Sequence, residues 1–229
     1  MQPRATDTRC LLIDAMGTIV GLEPPASRLR AELARRYGVE ISLEQAQHAI
    51  GEEIRYYRAH MHEGRDAAEV RTLRARCARV LGAALGDSAE GLGGDALTEA
   101  LLAALHFSVF DDAPGALRDA RSRGWRVVVV SNWDASLSEV LARLGLGPLL
   151  DEVVTSAGAG AGKPDPAIFR YALDLAGGRP AAALHVGDSL DEDVGGARAA
   201  GIEPVWLNRD GRAAVQGVRT ITTLDELEL

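Results

Sequence analysis

The sequence has little cysteine. Its two residues, Cys10 and Cys77, are too few for a disulfide framework. Cys10 falls in an apolar run, so both are expected to be free thiols in a reducing compartment. There is no basic surplus: the net charge is −8 at pH 7. That argues against a surface that tracks nucleic-acid phosphates, and it requires local cations or a metal wherever an anion is handled. No apolar run is long enough to span a bilayer, and the opening Met-Gln-Pro-Arg-Ala-Thr-Asp has no apolar signal core. The expectation is a soluble, cytoplasmic monomer or homodimer with no nucleic-acid or membrane partner. No internal repeat or low-complexity linker is present. The 229 residues, 47% of them hydrophobic, suffice for one domain with a sizeable insertion.

What is present begins with Cys10-Leu11-Leu12-Ile13-Asp14-Ala15-Met16-Gly17-Thr18. The apolar part reads as a buried parallel strand, too short for a helix. A carboxylate at a strand's carboxyl end is a candidate nucleophile. The competing reading is a turn-capping Asp14, with Gly17 supplying the bend. After Pro24-Pro25 the texture becomes helical, with apolar residues at Leu29, Leu33 and Tyr37 and then at Ala46, Ala49, Ile50 and Ile54. Ser42 and Gln45 form a capping-box pattern. Residues 22–108 are expected to be an all-helical insertion of roughly four helices, with no strand. From Val109 onward, strand and helix alternate. Strands are expected at 125–130, 152–155, 183–186 and 204–207, and helices at 114–123, up to 144, 166–176 and 194–200. The fold class is therefore α/β: a Rossmann-like parallel sheet with helices on both faces, built from residues 1–21 and 109–229.

The strand ends carry the chemistry. Asp14 and Thr18 follow the first strand, Ser131 and Asn132 the second, and Asp188 a later one, with Asp191, Glu192 and Asp193 behind it. Lys163 precedes the helix at Pro166. Asp14 and Asp188 offer hard oxygen ligands suited to Mg2+. Ser131, Asn132 and Lys163 offer groups for phosphoryl oxygens.

In this order, Asp14-x-Met16-Gly17-Thr18, Ser131-Asn132, Gly162-Lys163-Pro164-Asp165 and Gly187-Asp188-Ser189 with Asp193 resemble the haloacid dehalogenase-like hydrolase superfamily. The inserted helical block resembles that superfamily's small cap. The resemblance covers essentially the whole chain and implies a role for each motif residue. Asp14 would be the nucleophile that forms an aspartyl-phosphate, and Thr18 would bond the nucleophile or the phosphate. Ser131, with the Asn132 backbone and side chain nearby, would bind the phosphoryl group, and Lys163 would neutralise the charge of nucleophile and phosphate. Asp188 would bind Mg2+ directly, and Asp193 through water or by orienting its ligands.

One position departs from the phosphatase pattern. Where phosphatases of this superfamily carry a second Asp as general acid and base, this chain has Met16, which retains only a backbone carbonyl for the metal. Loss of general acid–base catalysis is worth about 10²–10⁴ in rate, least for good leaving groups. The expected activity is Mg2+-dependent hydrolysis of a small phosphorylated metabolite. The alternatives are a 2-haloacid dehalogenase-type hydrolase and a phospho-ligand-binding protein without turnover. A phosphonate-cleaving enzyme would need a cap lysine, and the block from Glu23 to Ser108 has none. The glycine-rich run before Lys163 is no nucleotide loop, because Pro164 stands where Ser or Thr is required. Asp191 and Glu192 read as a helix-terminal charge run, Asp134 as a helix cap and His185 as structural. The stretch Tyr56–Arg65 reads either as a substrate-facing surface or as an exposed helix end.

Overall fold

The computed structural model describes residues 8–229; the opening stretch discussed above, 1–7, lies outside the described residues. The chain divides into two compact units, Met1–Gly21 with Val109–Leu229, and Leu22–Ser108. In chain order the strands are β1 (Cys10–Ile13), β2 (Val20–Leu22), β3 (Phe107–Val109), β4 (Arg126–Ser131), β5 (Glu152–Thr155), β6 (Ala183–Gly187), β7 (Glu203–Leu207) and β8 (Arg219–Ile221). The α-helices are α1 (Pro25–Tyr37), α2 (Leu43–His60), α3 (Ala67–Leu85), α4 (Gly94–Ala104), α5 (Ala113–Ser122), α6 (Leu137–Arg143), α7 (Ser156–Ala159), α8 (Pro166–Ala176) and α9 (Gly196–Ala199).

The first unit is a six-stranded sheet in the order β5-β4-β1-β6-β7-β8, parallel at every pairing. β1 is central and buried on both faces, which is why its sequence is a continuous apolar run rather than an alternating one. Cys10 and Leu12 of β1, with Val128 and Val130 of β4, pack on Ile168, Phe169, Ala172 and Leu173 of α8. The chain winds to one side of β1 through β4 and β5, then crosses to β6, β7 and β8 on the other. The carboxyl ends of β4, β1 and β6 therefore flank the switch in winding direction, where open α/β sheets hold their ligands.

Two departures from the sequence reading have local causes. The helix expected at 194–200 is instead a wide π turn over Leu190–Gly195 followed by α9. The carbonyl of Ser189 accepts from both Asp193 N (3.1 Å) and Val194 N (3.1 Å), and such wide turns mark functional sites. The edge strand β8 was not expected: it is three residues long and mostly polar, too short to show alternation.

The second unit is helical. Ser42 caps α2 through the full capping box with Gln45, and the Asp66 side chain accepts from Ala68 N and Glu69 N at the start of α3. Leu29 and Leu33 of α1, Ala46, Ala49 and Ile50 of α2, Leu73, Cys77 and Leu81 of α3, and Leu97 and Leu101 of α4 form its core. They follow the i, i+3, i+4 spacing read from the sequence. Strand was not expected in this block, yet β2 and β3 pair as a two-stranded sheet where the chain leaves and re-enters the first unit. No helix among the described residues is long and apolar enough to cross a membrane.

Candidate active site

Asp14 follows β1 directly, and its N–H donates to the Val186 carbonyl of β6 at 2.9 Å. This extends the sheet pairing by one residue and fixes where the carboxylate emerges. The chain then turns sharply, with Ile19 N and Val20 N both donating to the Ala15 carbonyl. Gly17 takes φ +80°, and a Cβ there would lie 2.6 Å from Asp188 Oδ2, so glycine serves both the turn and the approach of Asp188. Ser131 ends β4, is buried, and hydrogen-bonds the Asp14 carboxyl.

Lys163 is the only lysine in the chain. Its side chain is 2% exposed. Its Nζ donates to Asp14 Oδ1 at 2.5 Å and to Asp193 Oδ1 at 2.6 Å. The backbone of Lys163 is clamped by Asn132, whose Oδ1 accepts from Lys163 N (2.8 Å) and whose Nδ2 donates to Lys163 O (2.9 Å). The same Nδ2 donates to Glu192 Oε2 at 3.0 Å. The Asn132 side-chain amide is thus engaged by Lys163 and Glu192, which leaves the Asn132 backbone as the part of the residue available to a phosphoryl group. The Thr18 hydroxyl is buried and makes no hydrogen bond among the described residues, so of the two partners expected for it Asp14 is not engaged.

Asp193 is 1% exposed. Besides Lys163, its Oδ1 lies 2.8 Å from His185 Nε2, and its Oδ2 accepts from Ser189 N at 3.0 Å. Gly187 makes room for it: a Cβ there would fall 2.1 Å from Asp193 Cγ. Two residues read as structural or surface groups thus belong to the site, His185 through Asp193 and Glu192 through Asn132. The available signals were a single histidine inside an otherwise apolar strand and a single lysine in the whole chain. Asp134 was expected to be a helix cap, but the N-cap of α6 is Ser136, with no side-chain cap bond; Asp134 instead accepts from Ser136 N at 2.8 Å in the turn before the helix. His60 stacks on Tyr56 at 4.0 Å, and its Nδ1 lies 2.7 Å from the Tyr56 carbonyl, within its own helix.

The site is short of positive charge. Burial pushes the Asp14 carboxyl up against the pull of Lys163, and the Asp193 charge adds to the rise. Burial and the Asp14 and Asp193 charges push Asp188 up to about 6. Burial likewise raises the half-buried Glu192. Asp193 is the exception: burial would raise it, but the Lys163 ammonium and the His185 bond hold it well below the usual carboxylate range. Burial would also lower Lys163, but the two carboxylates override it and keep the ammonium charged. Carboxylate oxygens of Asp14, Asp188 and Asp193 all lie within 4.8 Å of one another. A crowd of carboxylates with hard oxygens and one ammonium fits a divalent cation such as Mg2+.

A six-stranded parallel sheet with this acidic and cationic cluster at its switch point is a ligand site of the kind open α/β sheets carry there. The family model for haloacid dehalogenase-like hydrolases matches residues 8–201, and the chain belongs to that family. Haloacid dehalogenase-like hydrolase domain-containing protein 3 of Mus musculus is 34% identical over 206 residues, 85% of this chain and 79% of that protein. The bovine protein of the same name is 46% identical over 96 residues, but that match spans 42% of this chain and only 38% of the relative. Among solved structures, a HAD phosphatase from Thermococcus onnurineus matches with TM-score 0.65 and 26% identity, covering 96% of this chain and 95% of the other. A 2-haloacid dehalogenase from Pseudomonas syringae pv. Tomato DC3000 matches with TM-score 0.68 and 26% identity, covering 95% of each.

Proposed function

We propose that this hydrolase is a Mg2+-dependent phosphatase of small phosphorylated metabolites that works through an aspartyl-phosphate on Asp14. The observation that carries the reading is the buried lysine bonded to Asp14 and Asp193 beside Asp188. Mg2+ held by Asp14, Asp188 and the Met16 carbonyl, with Asp193 alongside, would neutralise and orient the phosphoryl oxygens. Asp14 attacks phosphorus, forming a carboxylate–phosphorus bond as the bond to the leaving oxygen breaks. Lys163 and Ser131 offset the charge gathering on the phosphoryl oxygens. Water then attacks the phosphorus, releasing inorganic phosphate and restoring the carboxylate. Met16 supplies no proton to the leaving oxygen, so substrates with good leaving groups are favoured. A similar protein, 38% identical over 104 residues (45% of this chain, 42% of that one), is a phosphoserine phosphatase of Thermus thermophilus.

Met16 also favours a second reading, dehalogenation through an aspartyl ester, to which the Pseudomonas neighbour points. Against it stands the surplus of carboxylates, which displacement of a halide by Asp14 alone does not need. The test is release of phosphate from a metabolite panel, and of chloride from 2-chloroacids, each with Mg2+ or chelator and with Asp14→Asn as the blank. Phosphate release that needs Mg2+ and Asp14 is expected. Chloride release indifferent to Mg2+ would replace this reading with the second. Tight ligand binding without turnover of either kind would refute both.

A further inference from the structure

His185 lies in the middle of β6, opposite Leu12 of β1 and Pro204 of β7, and is fully buried. Phe169 packs edge-on against its ring at a centroid distance of 4.9 Å. Its Nδ1 has no hydrogen-bond partner among the described residues. An apolar side chain of similar size would fill this place without burying a bare nitrogen. What the imidazole gains is one contact, Nε2 to Asp193 Oδ1 at 2.8 Å. Asp193 Oδ1 already accepts from Lys163 Nζ and Oδ2 from Ser189 N, so the carboxylate acts as acceptor and Nε2 carries the proton and donates.

We infer that His185 is a positioning residue for the nucleophile site, acting through Asp193 on Lys163. The Asp193 oxygen that takes the histidine proton also takes Lys163 Nζ. With Ser189 N fixing Oδ2, the histidine bond fixes Oδ1, and the carboxylate cannot rotate about its own axis. An ammonium has three protons in tetrahedral array. One is spent on Asp14 and one on the pinned Asp193, so the direction of the third is set. That third proton is the one left for a phosphoryl oxygen. Without His185, Asp193 Oδ1 can turn, and Lys163 can collapse onto Asp14, where it blunts the nucleophile rather than aiding it. Only the direction of the third proton, and the kinetic arm below, rest on the phosphatase reading. The coupling from histidine to lysine does not.

The single lysine makes the test direct. Protein grown on lysine labelled with carbon-13 and nitrogen-15 gives one lysine side-chain signal, that of Lys163. His185→Gln places an amide N–H near the Nε2 position, whereas His185→Leu fills the space with no donor. His185→Gln is expected to keep the signal, and kcat within about threefold of wild type. His185→Leu is expected to move the signal, open Lys163 to acylation detected by mass spectrometry, and lower kcat about 10–100-fold with little change in KM. An unchanged lysine signal in folded His185→Leu, or equal changes in both variants, would overturn the inference in favour of simple packing. If His185→Leu does not fold, nitrogen-15 spectra of wild-type histidine decide: a proton on Nε2 with Nδ1 bare supports the inference, and a proton on Nδ1 alone refutes it. If the wild type hydrolyses no phosphate ester, the function reading fails while the lysine signal still decides this one.

Discussion

Removing the Asp188 charge is predicted to stabilise the metal-free protein. Burial and the charges of Asp14 and Asp193 raise this carboxyl from 3.8 to about 6. A group whose folded-state pKa lies above its unfolded value holds its proton longer when folded. Its cost to stability is therefore absent below about pH 4, grows between about 4 and 6, and is complete above that. At 1.36 kcal/mol per pH unit the rise corresponds to about 3 kcal/mol for a shielded group, and to about 1–2 kcal/mol once solvent screening of this partly exposed carboxylate is allowed for. For a chain of this size that is about 2–8 °C in Tm. The assay is thermal unfolding of wild type and Asp188→Asn in chelator from pH 4.5 to 8. The variant should melt higher at pH 8, and its advantage should vanish toward pH 4.5. Millimolar Mg2+ should raise wild type and leave the variant unmoved, narrowing or reversing the difference. An Asp188→Asn protein that melts lower than wild type at pH 8 in chelator would refute the electrostatic reasoning.

Other substitutions probe other parts of the site. Met16→Asp should raise turnover of phosphate esters with poor leaving groups by about 10²-fold or more, and that of aryl phosphates much less, as measured by phosphate release. Asn132→Asp puts an oxygen where Nδ2 now donates to Lys163 O and Glu192, and should cost about 1–3 kcal/mol of stability by denaturant titration, with kcat falling more than KM rises. Gly187→Ala drives a Cβ into Asp193, which three hydrogen bonds hold in place. It should cost about 1–3 kcal/mol in the same titration and lower kcat at least tenfold.

Much of this was legible in the sequence because the signals were local and redundant. A β-branched run such as Val127–Val130 can hardly be anything but a buried strand, and the Ser42–Gln45 capping box states where α2 begins. Asp14 and Asp188 stood out because each directly follows a buried strand. What escaped was non-local. That the Asn132 amide closes on the Lys163 backbone depends on a pairing across 31 residues. The engagement of His185 depends on the π turn, which swings Asp193 back under β6, and no periodicity in Leu190–Gly195 announces that turn. The enclosure of the Thr18 hydroxyl was equally illegible, because it follows from the tight turn at Ala15–Val20 rather than from the motif.

The most direct measurement is mass spectrometry of the protein acid-quenched during turnover of an aryl phosphate in Mg2+, followed by peptide mapping. The account predicts one phosphoryl group on the peptide containing Asp14, lost on hydroxylamine treatment and absent from Asp14→Asn. Steady phosphate release by an Asp14→Asn protein, or a phosphoryl group found on any other residue, would contradict it.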